Sequence, residues 1–348
     1  MQVALTDEYV MLKKLLVLVV LVATPQGDPF AFFEPSFAVT QDDRRELARG
    51  EPVAHILGGA DLEIATFAAV PVTIDGDRLV AWMRRIGELK KSAYVLAIGR
   101  FSDPPRIADL ADLSLDDDEL MQLQSCRRQS CDLKLSAREM MQLQNAATAA
   151  PGDGKNATQQ AFREVLLARL RLYLTAGEIA AYEDAKMPVW PAARFASVLQ
   201  HTVFLTAGWP RFAEHLRASP APAAADVESF IYWSKERLAD KAVVSMTHVS
   251  IMRGHGQGLP DVLVAGRQIF ATHYFNASLG LTALMRGETG GPNYLVYVNR
   301  SELDVLDGPF AGLIRWFIGK RLKAEAAGAL VGLRRRLQGG DQIGRAHV

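Results

Sequence analysis

The chain has 348 residues, 49% of them hydrophobic and 22% charged, with 39 Lys plus Arg against 39 Asp plus Glu. It is too apolar for a disordered protein and, with 2 cysteines, too poor in them for a disulfide-built miniprotein. Its charge is too evenly balanced for binding nucleic acid by charge alone, and no nucleic-acid partner is expected. The length suits one large domain or two ordinary ones of roughly 150 residues each.

Near the N-terminus, Lys13 and Lys14 precede the apolar run 15–23. A short basic patch before such a run is the pattern of a secretory signal peptide. The run is shorter than the roughly 20 residues that span a bilayer. Residues 1–23 are therefore expected to be a signal peptide and the protein to be exported, to the periplasm or outside the cell. A buried first strand or helix is the alternative. At the other end, residues 343–348 match one reading frame of a sequencing adapter, so 339–348 is expected to be a disordered or artefactual tail.

Residues 24–52 read as a lead-in, with Pro25, Pro29 and Pro35 before a short charged helix at 41–49. Strands are expected at 53–57 and 63–73, split by Gly58 and Gly59. Asp75, Gly76 and Asp77 form a turn, and Asp77 is the expected cap of a helix over 78–89. That helix carries Leu79, Val80, Met83 and Ile86 at helical spacing. A third strand covers 94–101 and ends at Pro104 and Pro105.

A small repeat follows. Leu113-Ser114-Leu115-Asp116 leads into Asp117-Asp118-Glu119, and Leu133-Lys134-Leu135-Ser136 leads into Ala137-Arg138-Glu139. Each copy places a cap residue three positions before a Glu. That is a capping box: the cap oxygen takes a backbone N–H, and the Glu reaches back to the cap's own N–H. Two short helices starting at Asp116 and Ser136 are predicted. Residues 145–159 read as a linker, 160–218 as helical with Phe162, Val165, Leu166, Leu170 and Tyr173 on one face, and 218–225 as a second linker. Within the helical stretch, 179–182, 192–205 and 210–218 are shorter helices.

From 228 the texture changes. Segments 229–235, 242–252, 261–274, 277–285 and 293–300 are rich in β-branched and aromatic residues and joined by short turns, which argues an antiparallel sheet. A long helix closes the chain. Asp307 is its expected cap, Pro309 lies in the first turn, and Leu306, Phe310, Leu313 and Phe317 form its expected apolar stripe. Gly328 marks a kink or interruption.

Cys126 and Cys131 are expected to form a disulfide in an exported chain; a redox pair and two free thiols are the alternatives. No further Cys or His lies near enough to suggest a metal. His248 and His273 lie on expected strands, where they either face a shared cavity or serve as hydrogen-bonded sheet residues. Gly-x-Ser-x-Gly, a Walker A loop, His-Glu-x-x-His and Gly-x-Gly-x-x-Gly are all absent, so no motif points to a cofactor. Charge is unevenly placed. Residues 24–126 hold 18 acidic against 10 basic residues, whereas 315–336 hold seven basic residues against Glu325. The basic last helix either meets anionic lipid headgroups or pairs with the acidic early region.

The order of elements resembles the START-like helix-grip superfamily (SRPBCC type). The segments that carry the resemblance are Tyr232-Trp233-Ser234-Lys235-Glu236, Val243 to Val249, Arg267 to Phe275, and Tyr294 to Ser301 before the helix. It covers residues 53–100 and 228–338. It implies an α+β fold in which an antiparallel curved sheet grips a long C-terminal helix, with a helical insertion at about 160–218 in a single domain spanning 53–338. It also implies a lipid or other apolar ligand between sheet and helix. Trp233, Met246, His248, His273, Tyr297 and Trp316 are the expected lining, and Arg267 or Arg300 the partner of a carboxylate or phosphate head. Three functions compete: a carrier or sensor of an apolar ligand, an enzyme using His248 or His273 as general base, and an envelope interaction protein docking through 160–218.

Overall fold

The computed structural model describes residues 27–60, 62–149, 152–220, 226–256 and 258–339. The expected signal peptide and nearly all of the expected tail lie outside them. A lead-in helix, α1 (Gln41–Ala48), precedes two strands, β1 (Val53–Leu57) and β2 (Glu63–Val72). Two short helices, α2 (Gly76–Arg84) and α3 (Ile86–Lys90), lead to β3 (Val95–Arg100). A helical block follows: α4 (Asp117–Ser125), α5 (Ala137–Ala149), α6 (Gly154–Ala176), α7 (Pro191–Gln200), α8 (Val203–Gly208) and α9 (Pro210–Ala218). Five strands come next: β4 (Val227–Leu238), β5 (Lys241–Arg253), β6 (Val262–Ala271), β7 (Phe275–Met285) and β8 (Asn293–Leu303). The long helix α10 (Ala311–Gly339) is last.

The eight strands form one antiparallel sheet in the order β1-β2-β8-β7-β6-β5-β4-β3. The fold is therefore α+β, an antiparallel sheet packed against a long C-terminal helix and interrupted by a helical insertion. Both faces of the sheet are covered. Side chains of β4 alternate: Ile231 and Trp233 pack with α4, α5 and α6, while Phe230 and Tyr232 pack with α2, α3 and the last turns of α10. The lead-in and α7–α9 extend the first layer over Phe67, Leu263, Leu279 and Val298. We call these the insertion face and the helix face. Every residue of β2 is buried, which only coverage on both sides produces.

Several expectations are corrected. The insertion is larger than 160–218, because all of α4–α9 lies between β3 and β4. The linker at 145–159 shrinks, since α5 runs to Ala149 and α6 starts at Gly154. Residues 179–182 are not helical; Tyr182 pairs with Val189 in an isolated bridge. The helix expected over 192–205 is two helices, α7 and α8. Asp75, not Asp77, caps α2, its Oδ1 accepting from the Arg78 N–H at 2.8 Å. Asp307 does not cap the last helix, which begins at Ala311 and passes Gly328 unbroken. The largest correction concerns its stripe. Ile314, Ile318 and Leu322 pack against Ile64, Leu303 and Leu306. Phe310, Leu313 and Phe317 point to solvent instead.

Other expectations match the structure. Asp116 and Ser136 start α4 and α5 with reciprocal bonds to the Glu119 and Glu139 backbone and side chain. Cys126 and Cys131 are joined in a disulfide at the turn after α4.

Candidate functional site

The residues expected to line the space under α10 divide between the two faces. Trp233 lies on the insertion face, its Nε1–H donating to the Asp109 carbonyl at 2.8 Å. Its indole rests on Gly99, where an added Cβ would come within 2.6 Å of Nε1, so only glycine allows that approach. Met246 packs on the same side, among the insertion helices. His248 and Arg267 are cross-strand partners there. His248 Nδ1 lies 2.8 Å from the Tyr173 hydroxyl of α6. Arg267 donates to the carbonyls of Leu216 and Ser219 at 3.3 and 2.9 Å, with its guanidinium 4.3 Å from the centre of the Phe195 ring. Nearby, His215 Nε2 lies 3.1 Å from Ser250 Oγ. Burial, with Arg267 adding to it, pushes the His248 pKa down to about 4, and burial pushes the Tyr173 phenol up to about 12. Both groups are thus neutral at pH 7. A neutral imidazole beside a phenol can act as a base, but the insertion helices seal this one from solvent.

Arg300 also faces the insertion. It pairs at 2.9 Å with Glu63, whose other oxygen lies 2.6 Å from His201 Nδ1. His273 is buried beyond the end of β6; burial lowers its pKa, and its Nδ1 has no hydrogen-bond partner among the described residues. Trp316 lies on the outward side of α10 and is 60% exposed. Of the eight expected site residues, Tyr297 lies on the helix face of the sheet, opposite Thr282. The reason is parity. A strand alternates its sides with period two, and where both sides are buried, hydrophobicity does not mark which side meets the terminal helix.

The helix face itself holds a different constellation. α10 packs on β1, β2 and β8, α2 on the start of β6 and α3 on β3, so the middle of β5–β8 is only partly covered on this face and forms a shallow trough between these helices. Its floor consists of Ser245 and Thr247 from β5, Gly266 and Gln268 from β6, Gly280 and Thr282 from β7, and Tyr297 and Asn299 from β8. The register places them together: Thr247 opposes Gln268, Gly266 opposes Gly280, Gly280 opposes Asn299, and Thr282 opposes Tyr297. All eight are half-buried, whereas their neighbours on the other face are fully buried. Of the paired glycines only Gly280 leaves a hollow, since over Gly266 the Thr247 methyl already lies 3.2 Å from where a Cβ would sit. A Cβ on Gly280 would meet Asn299 Nδ2 at 3.7 Å and the Tyr297 hydroxyl at 3.8 Å, ordinary contacts that would fill the hollow. Thr247, Gln268 and Thr282 have no side-chain hydrogen-bond partner among the described residues. Beside the floor, Lys90 of α3 donates to Glu236 at 2.6 Å and to the Tyr232 hydroxyl at 3.4 Å. Burial opposes both charges, yet Tyr232 and Glu236 raise the lysine's pKa, and Lys90 lowers that of Glu236. Ser234 also donates to Glu236, at 2.6 Å.

Sequence reasoning placed Tyr297 in the lining but missed the other seven floor residues, although a signal exists. Four successive strands each carry two small or polar residues two positions apart: Ser245 and Thr247, Gly266 and Gln268, Gly280 and Thr282, Tyr297 and Asn299. Elsewhere, a surface cleft of about 250 Å³ lies between α2 and the β4–β5 hairpin, but the Arg84–Glu228 ion pair, at 2.7 Å, fills its polar wall.

No protein-family model and no curated protein matches the chain. Among solved structures, the chain is similar to TTHA0849 from Thermus thermophilus, with 12% identity over 43% of this chain and 87% of that one, at a TM-score of 0.25. It is also similar to BexL, the di-domain ARO/CYC of the BE-7585A biosynthetic pathway, with 11% identity over 53% of this chain and 57% of that one, at a TM-score of 0.22.

Proposed function

We propose that the chain is an exported carrier or sensor that holds a small, largely apolar molecule in the trough over β5–β8, beside α10. The observation that carries this reading is the floor. Half-buried hydroxyl and amide groups without protein partners, set beside the Gly280 hollow, leave hydrogen-bonding capacity that water or a ligand can take up. The disulfide supports an oxidising compartment. Native mass spectrometry of the full chain purified from cells tests the reading. Wild-type protein is expected to carry a bound small molecule that a Gly280→Leu variant, with its hollow filled, does not. Equal complements, or none in either, would overturn it.

A second observation favours contact with a membrane surface. Phe310, Leu313, Trp316 and Phe317 are 60–69% exposed at the start of α10, beside Lys320 and Lys323. An apolar, aromatic side flanked by lysines suits an interface with anionic lipid. In this reading α10 brings the mouth of the trough to a bilayer. No helix among the described residues is long and apolar enough to cross one.

A further inference from the structure

Resting on that ligand reading, we infer the chemical class of the occupant's polar end: it is uncharged and bears hydroxyl and carbonyl oxygens, as an acylglycerol does, and is not a carboxylate, phosphate or ammonium group. The free groups on the floor are all neutral. Thr247 and Thr282 each offer one donor and acceptor lone pairs, and Gln268 offers two donors and an acceptor. A carboxylate or phosphate accepts only, so it would leave the Gln268 carbonyl unused. An ammonium group donates only, so it would leave the amide N–H groups unused. A hydroxyl-bearing ester both donates and accepts, and so matches the mixed set.

Charge gives the same answer independently. A charge brought into a half-buried site needs a counter-charge that is not already engaged. Lys90 and Glu236 face the trough but neutralise each other at 2.6 Å, and Ser234 engages the same Glu236 oxygen. An anion beside Lys90 also meets Glu236, and a cation beside Glu236 also meets Lys90. The phenols of Tyr232 and Tyr297 are the other titratable groups on this part of the sheet; burial raises the pKa of Tyr297, which keeps it uncharged. On α10, Arg321 is paired with Glu325 at 2.6 Å. The Arg100 guanidinium lies over the Phe230 ring at 4.3 Å, towards α2 and away from Gln268. Arg267 and Arg300, the cations expected to meet an anionic head, face the insertion and are engaged there.

The test titrates the full chain with two probes of equal acyl length, neutral 1-decanoylglycerol and anionic decanoate, read by native mass spectrometry and calorimetry. Decanoylglycerol is expected to bind at least tenfold more tightly. Replacing Thr247→Val, Thr282→Val and Gln268→Leu together is expected to weaken decanoylglycerol at least tenfold and decanoate less than threefold. Thr282→Val alone, close to isosteric, serves if the triple variant does not fold by circular dichroism. Decanoate binding as tightly as the glyceride, and lost in Gly280→Leu, would overturn the neutral-head inference while leaving the trough as a binding site. Failure of both probes to bind would overturn the inference and the ligand reading together. Unchanged glyceride affinity in the variants would also overturn the inference.

Discussion

Glu63 is 1% exposed and holds both Arg300 and His201. Removing one partner of a buried ion pair leaves the other charge without compensation, at a cost of about 3–5 kcal/mol. Glu63→Ala is therefore expected to lower unfolding free energy by that order in urea titrations. His248 leads to a pH prediction. Its folded pKa of about 4 lies below its unfolded value, so between these values the unfolded chain binds more protons. The contribution is complete above about pH 6.5 and lost as pH falls through about 4. Acidification from pH 7 to 4.5 is expected to remove about 2 kcal/mol through this residue. A His248→Gln variant, compared by chemical denaturation at both pH values, should lose correspondingly less.

At the scale of elements, the two capping boxes show how local chemistry survives in the fold. Each cap–Glu pair forms within four residues, so tertiary packing does not need to supply it. Asp116→Ala is expected to cost about 1 kcal/mol in thermal or urea unfolding. The disulfide closes a short loop behind α4. On a chain-entropy estimate, losing it lowers stability by about 2 kcal/mol. A Cys126→Ser, Cys131→Ser double variant should show that loss, and the unreduced wild type should show no free thiol. The last helix divides by its surroundings. Its second half is anchored: Arg334 donates to the Gly50 carbonyl at 2.7 Å, and Arg336 to the carbonyls of Leu89 and Lys91. Its basic residues there meet backbone carbonyls, not the acidic residues of the early region. The first half presents aromatic residues outward. Phe310→Ser, Trp316→Ser and Phe317→Ser together are expected to reduce sedimentation with phosphatidylserine-containing vesicles at least fivefold. Equal sedimentation of wild type and variant would remove the membrane reading.

Across the whole molecule, the insertion is what distinguishes this sheet. It covers the side opposite α10 and turns that side into a second core, with Trp233, Met246 and Phe270 at its centre. β2 is then buried on both faces and paired along both edges, whereas β3 is an edge strand with half-buried and exposed positions. Amide hydrogen exchange is expected to be slowest in β2 and β8 and fastest, among strands, in β3. The reverse order would show that the insertion does not protect the sheet as the packing implies.

The strands, the two capped helices, the expected disulfide and the presence of a long closing helix were legible from local sequence. Each depends on neighbours within a few residues or on a run of one texture. Long-range packing set which side of each strand meets α10. Double coverage hides the alternation that would normally mark it, so His248, Arg267 and Arg300 went to the insertion side while Thr247, Gln268 and Thr282 formed the floor of the trough. It also decided that Ile314, Ile318 and Leu322, and not Phe310, Leu313 and Phe317, pack on the sheet. Both stripes have helical spacing, and only the position of β2 relative to the helix distinguishes them.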